Sequence, residues 1–295
     1  MIPKTRSRRL TRAASYLAVL LEKNGKPVLT QFEFNRIIRQ MYRESSGKRL
    51  YLRSNIPDRD NYVRLKSSLK QAGLIGKDRD YGTRVIRVLS ISDLPAEDII
   101  CLVDPTCHIS HLSAMQRWGL TDRNPEALIL TRPDRKTAAK RLLAYRTEAV
   151  DEAFPLTIVG HPNRVRGRTV RTYESRTPGT CLKVRGSDVR LSTIGQTFLD
   201  MLQKPDLCGG MSHILEAWEE HAETYLDDIV AAVSAATSGI VKSRAGYILE
   251  ERLGLYHSGI EHWKTFGQRG GSRKLDPVND FAPTFSETWM ISLNV

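Results

Sequence analysis

His108 and His111 stand three residues apart, a spacing that can place two imidazoles on one helical face, and Cys107 adjoins the first of them. Zinc needs further ligands, and no nearby carboxylate or cysteine completes an H-E-x-x-H or Cys/His set. A thiolate–imidazole dyad needs closeness in space, which adjacency along the chain does not supply. The four cysteines, Cys101, Cys107, Cys181 and Cys208, form no C-x-x-C pair and read as core thiols rather than a disulfide framework. Glu216, Glu219, Glu220, Glu223, Asp227 and Asp228 make a second dense set. Converging carboxylates would hold a metal for hydrolysis, but on a helix such a run reads as a solvated face or an acidic surface for a protein partner. No G-x-x-x-x-G-K-[ST] or G-x-G-x-x-G loop is present, GQRGGSRK lacks the right preceding strand, and there is no G-x-S-x-G elbow. The expectation is a protein that is not an enzyme, with no metal and no cofactor.

The basic residues have a different organisation. The chain of 295 residues carries a net charge of +12. Residues 1–91 contain 21 Lys+Arg against 7 Asp+Glu, a net of +14, so the remainder is at −2. Uniform basicity would say little. Basicity concentrated in the N-terminal third points to a polyanion, most simply double-stranded DNA.

The elements that must present this charge centre on Asn55–Leu89, NIPDRDNYVRLKSSLKQAGLIGKDRDYGTRVIRVL. A helix starts at Pro57 or Asp58, turns Val63, Leu65 and Leu69 inward among basic residues, and stops at Gly73. Two β-type runs, Leu74–Ile75 and Thr83–Leu89, flank a polar turn. Upstream, a helix from about Thr11 to Lys23 offers Leu17, Val19, Leu20 and Leu21, and a second after Thr30 carries Phe32, Phe34, Ile37, Ile38 and Met41. Three helices and a hairpin outline a winged helix-turn-helix, whose second helix of the pair enters the major groove while the wing reaches the backbone. On this reading Arg59, Asn61, Tyr62, Arg64, Lys66 and Lys70 approach DNA from the helix. Arg79, Tyr81, Arg84 and Arg87 do so from the wing, and Arg6, Arg8 and Arg9 from an N-terminal arm.

The fold class expected is α+β, with a winged-helix domain over residues 1–92 and a mixed α/β domain over 93–295. The second domain should hold a mixed sheet at about 120–191, helices at about 193–256 and an unassigned tail. Expected within it are a strand at Leu156–Val159, one Arg-rich strand at Val165–Tyr173 with Arg164, Arg166, Arg168 and Arg171 nearby, and a hairpin around Arg185-Gly186-Ser187-Asp188. Helices are expected at Thr193–Gln203, at Ser212–Thr237 with a break near Glu223, and at Val241–Leu253. No apolar run approaches the ~20 residues of a membrane span, and arginines interrupt any signal-peptide core, so a cytoplasmic location without a membrane partner is expected.

Two stretches carry a resemblance. HISHLSAMQRWGLTDRNPEALILTRP and VRLSTIGQTFLDMLQKPDLCGGMSHILEAWEE, with the later RAGYILEERLGL, resemble the AbiEi family of bacterial antitoxins from type IV toxin–antitoxin and abortive-infection systems. The matching positions include Ser113-Ala114, Trp118-Gly119-Leu120, Thr197, Leu199-Asp200, Leu202, Pro205, Leu207 and Gly209-Gly210, within residues 108–256. The resemblance implies an N-terminal winged helix that binds inverted repeats upstream of its own operon and represses it. It implies an antitoxin domain with a helical C-terminal part, countering a nucleotidyltransferase-like toxin without requiring a stable complex. The N-terminal domain is longer than the family's compact version, and the tail after about residue 260 has no counterpart. Alternative readings are a transcription factor with a ligand-sensing second domain, or a metal-dependent nuclease using the acidic run.

Overall fold

The chain forms an α+β fold, described in a computed structural model for residues 10–44, 50–52, 56–144, 157–267 and 273–295. Its first elements are α1 (Arg12–Asn24), β1 (Val28–Thr30), α2 (Gln31–Arg43), α3 (Arg59–Gln71), β2 (Ile75–Asp78), β3 (Gly82–Val88) and α4 (Ala96–Val103). Then come β4 (His108–Ile109), α5 (His111–Trp118), β5 (Ala127–Pro133), α6 (Arg135–Ala144), β6 (Arg164–Val165), β7 (Arg168–Ser175), β8 (Cys181–Lys183) and β9 (Arg190–Ser192). The last are α7 (Ile194–Gln203), α8 (Met211–His221), α9 (Leu226–Ala235), α10 (Gly239–Gly246), α11 (Ser258–Glu261), β10 (Phe285–Ser286) and β11 (Ile291–Ser292). The chain divides into two compact units: Met1–Thr106 with Arg135–Val170, and Cys107–Asp134 with Arg171–Val295.

In unit 1 the helix starts follow from side chains that satisfy free backbone N–H groups. Thr11 caps α1, Asp58 caps α3, and Thr30 makes a reciprocal capping box with Glu33 on α2. Gly73, at φ +71°, takes the left-handed backbone that ends α3. The antiparallel sheet has the order β1-β3-β2, with Leu29 opposite Ile86 and Ile75 opposite Val88. Its core joins Leu17 and Leu21 of α1, Phe34, Ile38 and Met41 of α2, and Leu65 and Leu69 of α3 to Leu29, Ile75 and Ile86 of the sheet. Two expected core positions face outward: Val19 and Val63 are each 56% exposed. The buried stripe of α3 is Tyr62, Leu65 and Leu69, because spacings of three and four keep one helical face and Val63 falls off it.

Composition placed a boundary at residue 92, but unit 1 runs on to Thr106. The cause is α4, which buries Ile99, Ile100, Leu102 and Val103 and packs on β1. Unit 1 also takes Arg135–Val170, a stretch that its near-neutral surroundings in sequence assign to the second domain. Within it, the Arg-rich stretch is a hairpin and not one strand. Arg166 and Gly167 have φ +49° and +81°, and Val165 pairs with Arg168 across them, the positive φ pair that a two-residue hairpin loop requires. The expected strand at Leu156–Val159 begins outside the described residues, and residues 157–159 are irregular.

In unit 2 the strand order is β7-β5-β4-β9-β8, with β4 parallel to β9 and antiparallel to β5. The β8–β9 hairpin forms where expected, pairing Leu182 with Leu191. Helix α7 is buried along nearly its whole length and packs Phe198 edge-on against Trp218 at 5.3 Å. The expected long helix is two, α8 and α9, separated at 222–225. After α10 the winding widens through Tyr247–Arg252, where Leu253 N–H reaches back five residues to Ile248 O at 3.0 Å.

The tail after residue 260 is core, not appendage. Leu275, Trp289 and Ile291 join the cluster built by α7, α8 and α10. Arg244 ties it down, donating from Nε to Lys274 O at 3.0 Å and from Nη1 to Leu202 O at 2.9 Å. Gly246 lies flat under the Trp289 ring, and a Cβ there would come within 2.2 Å of it. Gly246→Ala is therefore expected to destabilise unit 2 by about 2 kcal/mol, the cost of overpacking a filled core. A thermal melt against wild type measures it, and an unchanged midpoint would mean that Trp289 is not seated there.

Candidate nucleic-acid interface

Helix α3 presents Arg59, Arg64 and Lys70 to solvent, while Asn61 and Tyr62 are buried and Lys66 is half-buried. Gln31, the first residue of α2, holds the buried side of this helix. Its Oε1 accepts from the Tyr62 hydroxyl and from Lys66 Nζ at 2.8 Å, and its Nε2 donates to Thr83 O at 3.2 Å. One amide thus joins α2, α3 and β3. Phe34 packs edge-on against Tyr62 at 5.4 Å, and burial raises the Tyr62 pKa so that the hydroxyl stays protonated. Burial, followed by the neighbouring charge of Lys70, lowers that of Lys66. Asn61 Oδ1 accepts from Arg64 Nη2 at 2.5 Å, which restrains the guanidinium on the exposed face. Of the six helix residues expected at DNA, Arg59, Arg64 and Lys70 are exposed, Arg64 held in place by Asn61, whereas Asn61, Tyr62 and Lys66 face inward.

The β2–β3 hairpin is more constrained than a free wing. Its turn bends because Asp78 Oδ1 accepts from the backbone of Asp80 and Tyr81, each at 3.0 Å. Arg166 then enters between three carboxylates. It meets Asp78 Oδ2 at 2.6 Å and Asp93 Oδ2 at 2.9 Å, bonds Asp80 as well, and leaves only 4% of its side chain exposed. Burial opposes ionisation of Asp78, but hydrogen bonds from Arg166 and from the Tyr81 and Asp80 backbone outweigh it and hold its pKa below the usual range. Arg166 is pulled down by burial and raised further by Asp78 and Asp80, so it stays charged.

The other wing residues have internal partners too. Tyr81 is buried, with its hydroxyl 2.9 Å from His161 Nδ1. His161 Nε2 lies 3.7 Å from Asp104, which burial would raise but which the bonds from His161 and Thr106 hold low. Arg84 is exposed and donates to Gly160 O at 2.9 Å. Arg87 spans the sheet edge, donating to Pro27 O at 2.9 Å and Ile91 O at 2.6 Å. Arg79, also expected on the wing, has 64% of its side chain exposed and lies 3.5 Å from Asp93. Arg6, Arg8 and Arg9 lie outside the described residues.

Unit 2 holds a buried polar network around Asp200. Gln196 Nε2 donates to it at 2.7 Å and Ser192 Oγ at 3.2 Å, with the His111 backbone N–H a third donor. Burial pushes the Asp200 pKa up to about 7 against these donors. His111 is driven down to about 3, by burial first and then by the charges of His108, Arg171 and Lys204. Its Nδ1 lies 2.8 Å from Ser110 Oγ, which also accepts from Thr131 at 2.8 Å. These groups are closed to solvent. A groove of about 580 Å³ beside α2 and one of about 280 Å³ around Tyr256 are lined by none of them. His108 lies in β4 and His111 begins α5, so they share no helical face. Glu216, Glu219, Glu220, Glu223, Asp227 and Asp228 are all exposed, and among the described residues they form no converging cluster. The nuclease reading loses the feature it needed.

Comparison with known proteins adds little. No family model and no curated protein matches the chain. Among solved structures, the RV2827C protein from Mycobacterium tuberculosis aligns over 98% of this chain and 94% of its own, at 12% identity and a TM-score of 0.44. Among the described residues no helix is long and apolar enough to cross a membrane.

Sequence reasoning missed Gln31, His161 and the part Arg166 plays with Asp78, Asp80 and Asp93. One signal for the last was present: two aspartates in the turn of a hairpin otherwise rich in arginine. Acids there repel a nucleic acid unless the protein itself neutralises them.

Proposed function

We propose that this protein is a DNA-binding autorepressor and antitoxin of the AbiEi kind, acting in the cytoplasm without catalytic activity of its own. The observation that carries the DNA-binding part is the connectivity of unit 1. Helix, strand, helix, helix and hairpin around a sheet of order β1-β3-β2 supports the reading of unit 1 as a winged helix-turn-helix. Its third helix exposes Arg59, Arg64 and Lys70. Unit 1 holds 29 basic and 14 acidic residues, a net of +15, which suits a phosphate backbone. Helix α3 would lie in the major groove and Arg79 would reach the backbone from the wing. The antitoxin part rests on the resemblance of residues 108–256, and its partner would be a nucleotidyltransferase-like toxin encoded nearby.

A gel shift on the duplex upstream of its own gene tests the first part. Specific binding is expected to weaken with salt, and Arg59→Ala, Arg64→Ala and Lys70→Ala should each reduce the slope of log K against log salt by about 0.9 where the residue meets a phosphate. No preference for that duplex over an unrelated one would end the autorepressor reading. Co-expression with the neighbouring toxin tests the second, and failure to restore growth would end the antitoxin reading.

A further inference from the structure

We infer that the β6–β7 hairpin is a second contact of unit 1 with the phosphate backbone of DNA, seated on the tip of the β2–β3 wing, with Arg164 and Arg168 as its contacting side chains. The inference rests on the DNA-binding reading above and extends it to a segment more than seventy residues beyond the wing in sequence.

Three observations carry it. The first is anchorage. Val165 is buried, and the Arg166 backbone N–H donates to Asp80 Oδ2 at 2.9 Å while its guanidinium fills the space among Asp78, Asp80 and Asp93. The approach segment is fixed at two more points, His161 on Tyr81 and Gly160 on Arg84. The hairpin therefore moves with the wing tip.

The second is exposure. Arg166, in the two-residue turn, buries its side chain among carboxylates, while Arg164 and Arg168, on the two strands that flank the turn, are exposed. Their side chains make no hydrogen bond or ion pair among the described residues. Arg164 pairs with Thr169 and Val165 with Arg168, so the two arginines stand on adjacent rungs of the hairpin, one on each strand, and flank its tip.

The third is charge. Residues 135–170, the stretch that joins unit 1 from a distance in sequence, contain eight basic and three acidic residues. The acids beside the hairpin face Arg166 and Arg79 and are neutralised there. Two unpaired guanidiniums on the tip of a basic unit fit a polyanion, and the wing beneath them is the part that would lie against the DNA backbone.

The test uses the full chain and the duplex upstream of its own gene, titrated at salt between about 50 and 200 mM. R164E/R168E is expected to weaken binding about tenfold or more and to lower the salt slope by about two. K183E/R185E, which changes net charge equally on the exposed β8–β9 hairpin of unit 2, should stay within about twofold of wild type if charge acts only at the contact. R164Q/R168Q should reproduce the fall in slope with a smaller loss of affinity. If the 164/168 variants match the unit 2 control with an unchanged slope, this inference is overturned and the DNA-binding reading stands. If wild type shows no specific binding, the reading fails and the inference fails with it.

Discussion

Arg166→Ala is expected to destabilise unit 1 by about 3 kcal/mol at neutral pH, because it strands a buried carboxylate. Asp78 has no exposed side-chain surface and depends on Arg166 Nη2 at 2.6 Å, while Asp80 and Asp93 retain some solvent. Most of the loss should thus come from Asp78, with the half-solvated partners adding little. The pH dependence gives the cause away. In wild type the depressed pKa of Asp78 contributes stability that is present above about pH 4 and lost as pH falls through the folded value. Without Arg166 burial dominates, Asp78 takes up a proton more readily, and the gap between variant and wild type should narrow as pH falls from about 7 towards about 4. Arg166 also sits at φ +49°, a strained choice for a residue with a Cβ. Asn is the natural occupant of such a turn before glycine, so Arg166→Asn should recover about 1 kcal/mol of backbone cost and lose the ion pairs. Urea titrations of the three proteins at pH 7 and pH 4 settle it. A pH-independent loss would show that Arg166 does not hold the Asp78 charge, and an Asn variant no more stable than Ala would show that the turn carries no strain.

That cluster also marks where sequence reading stops. Caps at Thr30 and Asp58, a glycine stop at Gly73 and apolar spacing were enough to read three helices and a hairpin, because these are local signals. The exposed basic residues of α3 followed from the same periodicity, apart from a one-residue error at Val63. What spacing could not show is that residues 160–166 return to the hairpin. Tyr81, Arg84 and Arg87 looked like free wing residues from their types alone. Each has a partner inside unit 1, and two of the three residues pair with backbone carbonyls, which leave no mark in a sequence.

The tail shows the same limit in unit 2. Its polar composition and prolines hid Trp289 and Ile291, which enter the core only because α10 ends in a glycine that leaves room for the indole. Motif residues that the resemblance singled out, Arg244, Gly246 and Asp200, gain physical reasons here. Arg244 satisfies two carbonyls at the edge of that core, Gly246 seats a ring, and Asp200 organises the turn between β9, α5 and α7. These are roles in holding the unit together, which explains how a stretch can look characteristic without any reactive centre in it.

Asp200 leads to the largest expected effect. Its carboxyl is fully buried with a pKa of about 7 against an ordinary 3.8, so the folded state keeps a proton that the unfolded chain releases. Between those values unfolding liberates a proton, and stability must fall as pH rises. The contribution is complete below about pH 4 and is lost by about pH 7, a change on the order of 4 kcal/mol for three units of pKa. The groups around it fit this account. Ser192 can turn its hydroxyl to accept the acid proton, Gln196 and the His111 N–H still donate, and the Cys208 thiol, itself raised by burial and then by Asp200, offers no compensating charge. Asp200→Asn replaces the protonated acid by a neutral group of the same shape. Its stability should therefore lack this pH term, so that it matches wild type or falls slightly short at about pH 4 and gains on it steadily as pH rises to about 7. Denaturant unfolding across that range measures the difference. A gap between the two proteins that stays constant with pH would mean that Asp200 is ionised in the folded protein, and that the donors around it outweigh its burial.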